Sequence, residues 1–430
     1  MFLLNQLLSF FLFTNIISGS FTAKIRRQEK DYLSSSSQDL ITSLPSLPFP
    51  LKSRHFSGYL SSLNSTYLFY WFVESQSDPQ SDPLLLWLSG GPGCSSLFGS
   101  FGEIGPILFD ANGTLTSNAY AWNINANVLF IESPAGTGFS YRTNFTKYNT
   151  NDNETALINY HALKSFYSKF PQYAQSPLYL SGQSYAAHYL PRLGAQILEH
   201  QFPPTFKGVF LGNGEVFYLL NDFLMKHYMK IKGFDSFSLE PSPEFSRRLW
   251  IYDINRECNA TTPDPYIYVP ETRSPVPPEP STPCVNHYPL YEYLNRPEVR
   301  LAIHVDPNFA DDWRLCSAMK PGYLQYDYTY DSTAPHFQVL LRRNITVVLY
   351  NGDADTVCSY VTARSFVRKQ LKLKTVGPKE TLREGNRTYG TMQRYEGNLK
   401  LVVFKDASHM VPIDEPKGVL KLLNEELFGR

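Results

Sequence analysis

The sequence predicts an α/β fold, a mainly parallel central sheet flanked by helices. Three observations carry that expectation. Continuous apolar runs of strand length recur along the chain: Leu84-Leu-Leu-Trp-Leu88, Asn127-Val-Leu-Phe-Ile131, Asn344-Ile-Thr-Val-Val-Leu-Tyr350 and Leu399-Lys-Leu-Val-Val-Phe404. Runs with little polar alternation are what strands buried on both faces require. Each run ends in a loop of small or polar residues. Between them lies helical spacing, clearest in Ala156, Leu157, Tyr160, Leu163, Phe166 and Tyr167. Strand, loop and helix in alternation imply parallel pairing, with working residues at the strand C-termini.

The chain has 430 residues, enough for one large α/β domain with an insertion, and 43% of them are hydrophobic. Lysine plus arginine and aspartate plus glutamate number 39 each. That balance argues against nucleic acid or an anionic membrane surface as the main partner. Residues 1–20 are apolar and uncharged, with Ser18 and Ser20 suited to a cleavage site. They read as a signal peptide rather than a membrane span, because the apolar stretch falls short of the roughly 20 residues a span needs. No later run is long or apolar enough to cross a bilayer. Seven Asn-x-Ser/Thr sequons begin at Asn64, Asn112, Asn144, Asn153, Asn259, Asn344 and Asn386. Behind a signal peptide they suggest a glycosylated protein of the secretory pathway, lysosomal or extracellular. Five cysteines (Cys94, Cys258, Cys284, Cys316 and Cys358) allow two disulfides and one free thiol. None has metal-ligand spacing, so no metal and no cofactor is expected.

From Lys24 to about Pro50 the chain is rich in serine and proline and reads as a loosely ordered lead-in. Ser57–Leu60 and Thr66–Glu74 then read as a hairpin dense in aromatic and β-branched residues. The Leu84–Leu88 strand feeds Ser89-Gly-Gly-Pro-Gly-Cys-Ser-Ser96, whose glycines leave backbone N–H groups free to face an anion. Asn127–Ile131 runs into Glu132-Ser-Pro-Ala-Gly-Thr-Gly-Phe-Ser-Tyr141. Leu178-Tyr-Leu180 runs through Gly182 to Ser184 and a helical run, the strand, sharp turn and helix of a nucleophile elbow. Gly208–Gly214 is a further strand and turn.

From 215 to 300 the rhythm fails. A helical piece (Leu219–Ile231) and a proline-crowded run (Thr261–Pro283) suggest a cap inserted into a core made of 50–214 and 301–430, with Cys258–Cys284 tying its loop. The sheet resumes before Asn351-Gly-Asp-Ala-Asp355, and the last strand precedes Lys405-Asp-Ala-Ser-His409. A helix from Glu415 to Leu427 closes the chain.

Ser184, Asp355 and His409 thus follow three apolar strands in the chain order of α/β-hydrolases. Acyl-enzyme hydrolysis needs a serine, a histidine to take its proton and a carboxylate to orient the imidazole. Taken singly, each has a structural reading: a cap, a turn former, a packed histidine. Together and in order they point to a hydrolase.

Trp87-Leu-Ser-Gly-Gly-Pro-Gly-Cys-Ser-Ser96, Glu132–Tyr141, Gly182-Gln-Ser-Tyr-Ala-Ala-His-Tyr189, Tyr350-Asn-Gly-Asp-Ala-Asp-Thr-Val-Cys358 and His409-Met-Val-Pro412 make the chain resemble the serine carboxypeptidase family. Within it, the chain is most similar to the lysosomal branch that includes cathepsin A. The resemblance implies an α/β-hydrolase fold with a helical cap. It implies Ser184 as nucleophile, His409 as base and then acid, Asp355 as orienting carboxylate, and the N–H groups of Gly91 and Tyr185 as oxyanion hole. It also implies a Cys94–Cys316 disulfide and Cys358 as a free thiol near the site.

The family holds the substrate's terminal carboxylate with an asparagine, a glycine and two glutamic acids. The matching residues here are Ser89, Gly90, Glu103 and Gln183. Carboxyl groups facing a carboxylate must hold protons, which favours acid; Gln183 donates at any pH. The expected activity is release of C-terminal, hydrophobic residues from peptides, with carboxylate binding that falls less steeply as pH rises. Esterase, amidase or acyltransferase chemistry on the same triad is the alternative. A protective role as binding partner of other lysosomal enzymes is another, and the resemblance is compatible with a homodimer.

Overall fold

Apolar runs that cannot face water on either side collapse here into one 12-stranded sheet with a hydrophobic cluster against each face. The computed structural model describes residues 36–110, 113–143, 148–217, 249–250, 252–257, 288–317, 323–329 and 331–430. The sheet strands are β1 (Leu40–Ile41), β2 (His55–Ser61), β3 (Thr66–Val73), β4 (Leu84–Leu88), β5 (Asn127–Ile131), β6 (Leu178–Gln183), β7 (Phe206–Gly212), β8 (Thr346–Gly352), β9 (Thr375–Glu384), β10 (Arg387–Tyr395) and β11 (Leu399–Phe404). A two-residue strand, Tyr141–Arg142, pairs with β3. The spatial order is β1-β2-β3-β5-β4-β6-β7-β8-β11-β10-β9.

The six strands from β5 to β11 pair in parallel. Antiparallel strands extend both ends. Period-2 geometry sorts each central strand onto two faces. Trp87, Phe130, Phe210, Val348 and Val402 enter one cluster, while Leu86, Leu129, Leu180, Leu211 and Leu349 enter the other. Helices α1 (Asp152–Lys169), α2 (Ala186–His200), α5 (Ala334–Arg342) and α6 (Tyr360–Ser365) cover the second face. Helices α3 (Tyr288–Asn295), α4 (Pro297–Ala302) and α7 (Pro416–Leu423) cover the first. The fold is therefore an α/β-hydrolase sheet. No helix among the described residues is long and apolar enough to cross a membrane.

Three local readings differ from the sequence expectation. The lead-in is tied down from Ser36 onward. Asp39 accepts from Tyr70 Oη and from Lys169 Nζ, each at 2.5 Å, and Ile41 and Leu44 are buried. A long hairpin, β9–β10, fills the stretch between Asp355 and the last strand. Its outer strand is almost wholly exposed and carries Gly377, Pro378 and alternating charges, so no apolar period announces it. The closing helix is α only to Leu423 and continues as a wider π turn over Asn424–Phe428. The expected core boundary after residue 300 falls within α4, and Leu290, Tyr293, Leu294 and Val299 share a cluster with Trp71 and Phe101. The signal peptide, the helical piece at 219–231, the proline-rich run at 261–283 and the Cys258–Cys284 pairing lie outside the described residues.

Parallel neighbours β4, β6, β7, β8 and β11 end side by side, and the loops that follow them hold Ser89, Ser184, Asn213, Asp355 and His409. The register depends on close backbone approach. A Cβ on Gly182 would stand 2.1 Å from the Leu88 carbonyl oxygen and 2.9 Å from Ala186 Cβ. Gly182→Ala should therefore cost about 2–3 kcal/mol, measured by urea unfolding. An unchanged midpoint would contradict this packing.

Candidate active site

The site starts from a strained turn. Ser184 has φ +59°, a left-handed conformation that costs a non-glycine residue energy and persists only where its surroundings fix it. They do so from both sides. The Ser184 N–H is shared between the carbonyls of Gly212 and Asn213, at 3.1 Å each. Its own carbonyl accepts from the N–H groups of Ala187 and Glu215 at 3.0 and 3.1 Å. The β4 loop closes over the turn so tightly that a Cβ on Gly90 would lie 2.5 Å from the Tyr185 nitrogen and 2.7 Å from Ser184 Cβ. Gly91, at φ +113°, turns the same loop beside the start of α2.

Asp355 is fully buried and accepts four hydrogen bonds. His409 Nδ1 lies 2.8 Å and Asn213 Nδ2 2.6 Å from its Oδ2, and the Cys358 N–H also reaches Oδ2 at 3.2 Å. The Val357 N–H reaches Oδ1 at 2.9 Å. Four protein donors, without water, thus meet the hydrogen-bonding capacity of this carboxylate. It accepts only, so His409 must donate from Nδ1, which leaves Nε2 as the basic nitrogen. The Tyr252 carbonyl receives the His409 N–H at 2.8 Å, and the Tyr252 ring stands edge-on to the imidazole at 5.0 Å.

Cys358 links this pair to the elbow. Its buried thiol hydrogen-bonds with Ser184, and burial, reinforced by the charge of Asp355, pushes it well above the usual thiol range. Ligand atoms of Asp355, Cys358 and His409 lie within 4.8 Å of one another. A thiol held protonated is a poor metal ligand, and His409 Nδ1 is already bound to Asp355. The sequence-predicted trio thus converges on one spot.

Ser89, Gly90, Glu103 and Gln183 also meet. Gln183 Nε2 donates to Glu103 Oε1 at 2.6 Å, while Glu103 Oε2 and Gln183 Oε1 are buried with no hydrogen-bond partner among the described residues. Burial, with the Gln183 bond opposing it and the charge of Asp414 adding to it, raises the Glu103 carboxyl to about 8. Trp87 Nε1 donates to Ser89 Oγ at 3.2 Å.

Sequence reasoning passed over three polar residues. Asn213, read only as part of a turn, holds Asp355 through Nδ2 and accepts the Gly352 N–H through Oδ1 at 3.2 Å. Asp152, fully buried at the start of α1, accepts the hydroxyls of Tyr185 and Tyr326 at 2.8 and 2.9 Å and the Thr329 N–H at 3.0 Å. It thereby anchors the residue beside the nucleophile. Glu215, directly after the Gly-Asn-Gly turn, has its carboxyl raised to about 7, mainly by burial. The signal available for Asn213 and Glu215 was their place at the end of a predicted strand; nothing local marks Asp152.

Cys94 and Cys316 are disulfide-bonded, and Cys358 is a buried free thiol. Beneath the disulfide Glu132 accepts from Ser95 Oγ, from the Phe139 N–H at 2.6 Å and from Trp313 Nε1 at 3.0 Å; burial lifts its carboxyl to about 7. Asn64, Asn153, Asn344 and Asn386 are exposed. Asn112, Asn144 and Asn259 lie outside the described residues.

Residues 45–229 and 220–429 match the family model of serine carboxypeptidase. Among curated relatives, serine carboxypeptidase ctsa-4.1 of Caenorhabditis elegans is 33% identical, over 90% of this chain and 92% of that protein. The lysosomal protective protein of Mus musculus is 33% identical over 91% and 94%. Serine carboxypeptidase-like 36 of Arabidopsis thaliana is 34% identical over 92% and 87%. The crystal structure of Kex1Δp, a prohormone-processing carboxypeptidase from Saccharomyces cerevisiae, superposes with a TM-score of 0.70 at 21% identity, covering 91% of this chain and 96% of that one. At that identity the match speaks to the fold.

The buried titratable groups set a pH profile for stability. Glu103, Glu132 and Glu215, raised to about 8, 7 and 7, favour the folded state fully below the ordinary 4.5 and lose that contribution as pH climbs through those values. His55, His188 and His336, lowered by burial to about 3, 4 and 4, do the reverse: their contribution is complete above 6.5 and is lost on acidification. Between about 4.5 and 6.5 the two sets oppose each other. The thermal midpoint should therefore be flat across that window and fall on both sides, as read by scanning fluorimetry. A midpoint climbing steadily from pH 5 to 8 would contradict these burials.

Proposed function

This chain belongs to the serine carboxypeptidase family, and on that premise we propose that Ser184, His409 and Asp355 are its catalytic triad and that Ser89, Gly90, Glu103 and Gln183 hold the carboxylate of the peptide it shortens. His409 Nε2 takes the Ser184 proton as Oγ attacks the last peptide carbonyl. The N–H groups of Gly91 and Tyr185 receive the charge that develops on the carbonyl oxygen. The imidazolium then protonates the leaving amine, and the C-terminal amino acid departs. Water, deprotonated by the same nitrogen, attacks the acyl-enzyme and regenerates Ser184. Asp355 stabilises the imidazolium and keeps the ring oriented, with Asn213 holding Asp355 in turn.

A triad alone would serve an esterase or amidase equally well. The observation that carries the exopeptidase reading is Glu103, a buried carboxyl raised to about 8 with Oε2 free of any partner, set against Gln183 next to the nucleophile. Below that pH it is a neutral acid able to donate to a carboxylate. The leaving residue is hydrophobic in this reading. The core is 50–214 with 301–430 and the cap lies within 215–300, whose last part, from α3 onward, packs on the sheet. The compartment is the secretory pathway, lysosomal or extracellular. The mouse protective protein's lysosomal name and four exposed sequons support that address.

Two measurements test the reading. A free-acid peptide should be cleaved at least about 100-fold faster in kcat/KM than its C-terminal amide, and Ser184→Ala should abolish both reactions. Equal rates for acid and amide would favour the esterase or amidase alternative. For the acid peptide, wild-type kcat/KM should hold up to about pH 8, where Glu103 loses its proton. Gln183→Glu places a second carboxyl on the same contact, so its decline should begin at lower pH. Identical profiles would remove Gln183 from carboxylate recognition.

A further inference from the structure

Glu215 has no task in that scheme. Its N–H is bound to the Ser184 carbonyl at 3.1 Å, so its backbone is fastened to the nucleophile. Its side chain is half-buried and makes no hydrogen bond or ion pair with any described residue. Its charge acts on Tyr185 and on Cys358. The Cys358 thiol is bonded to Ser184 and Tyr185 follows it, so the Glu215 carboxyl lies among the nucleophile's immediate neighbours.

Among the described residues, the groups whose charge reaches it supply no cation partner. Asp152, at the start of α1, is a like charge that adds to the effect of burial on Glu215. His188 on α2 is held neutral, lowered to about 4, and touches only the Glu215 backbone. Tyr185 and Cys358 are both held protonated, each mainly by burial. Arg192, the nearby guanidinium, lies 3.8 Å from Asp152. A partly desolvated carboxyl with no partner costs stability unless a ligand brings the partner.

Strand order says which half of the substrate could do so. The carboxylate-binding residues Ser89, Gly90 and Glu103 belong to the β4 side of Ser184, whereas Glu215 follows β7 on the opposite side. A peptide whose terminal carboxylate lies over β4 places the residue before the scissile bond over β7. We propose that Glu215 selects substrates with a cationic side chain, lysine or arginine, on the residue that precedes the one released. The inference rests on the exopeptidase reading and narrows its substrate class: a hydrophobic residue leaves, and a basic residue remains as the acyl group.

The test uses blocked dipeptides ending in leucine, with lysine or its uncharged counterpart norleucine before it. At pH 7.5–8 the wild-type kcat/KM ratio of lysine to norleucine should exceed about tenfold, and Glu215→Gln should bring it close to unity. In the wild type that ratio should climb between pH 5 and 8 as Glu215 ionises around 7, and it should be flat in the variant. The wild-type pH dependence needs no variant, so it holds even if Glu215→Gln fails to fold. Hydrolysis with a ratio near one, or one that does not change with pH, would overturn the inference and leave the carboxypeptidase intact. Absence of Ser184-dependent hydrolysis of every peptide would overturn the exopeptidase reading and this inference with it.

Discussion

The left-handed backbone of Ser184 is the constraint on which the rest depends. A serine in that conformation is unstable by itself, and the sheet stabilises it by surrounding it with hydrogen bonds and glycines. The Gly212 and Asn213 carbonyls bind its N–H, and the Ala187 and Glu215 N–H groups bind its carbonyl. Gly90 and Gly182 let neighbouring backbones come within distances that any side chain would block. The same Asn213 reaches Asp355 with its amide. Elbow geometry and the His409 support are therefore set by one turn at the end of β7, and a disturbance of that turn would be felt at both.

The buried acids divide according to how many donors meet them. Asp355 receives four hydrogen bonds, one of them with His409 Nδ1. Glu103 has one donor and one bare oxygen among the described residues, and it is raised to about 8. Glu215 has none. In the scheme proposed above, these three carboxyl groups take three different tasks: orienting the base, donating to the substrate's terminus, and attracting a cation. Local hydrogen bonding, rather than residue type, separates them.

The sheet was legible because its central strands are buried on both faces and so are written as unbroken apolar runs. The meeting of Ser184, Asp355 and His409 was legible because each directly follows such a run. What escaped depends on tertiary contact. The β9–β10 ribbon has an outer strand with no buried face, so no period could reveal it. Asp39, in a serine- and proline-rich lead-in, gains its place through partners distant in sequence, its carboxylate through Tyr70 and Lys169 and its carbonyl through the Ser57 N–H. Asp152 looks like any acidic residue in a first helical turn until two tyrosine hydroxyls converge on it. The Gln183 and Ser89 substitutions were visible against the family's pattern, yet whether an acid remained proton-bearing at that spot required the burial of Glu103.

The most direct measurement is the site of covalent modification by a fluorophosphonate, located by peptide mass mapping of the intact protein. One adduct should form, on the Ser184 hydroxyl, and Ser184→Ala should take up none while Ser181, Ser89 and Ser359 stay unmodified in both. A stoichiometric adduct on any other serine, or undiminished labelling of Ser184→Ala, would contradict the elbow assignment from which the rest follows.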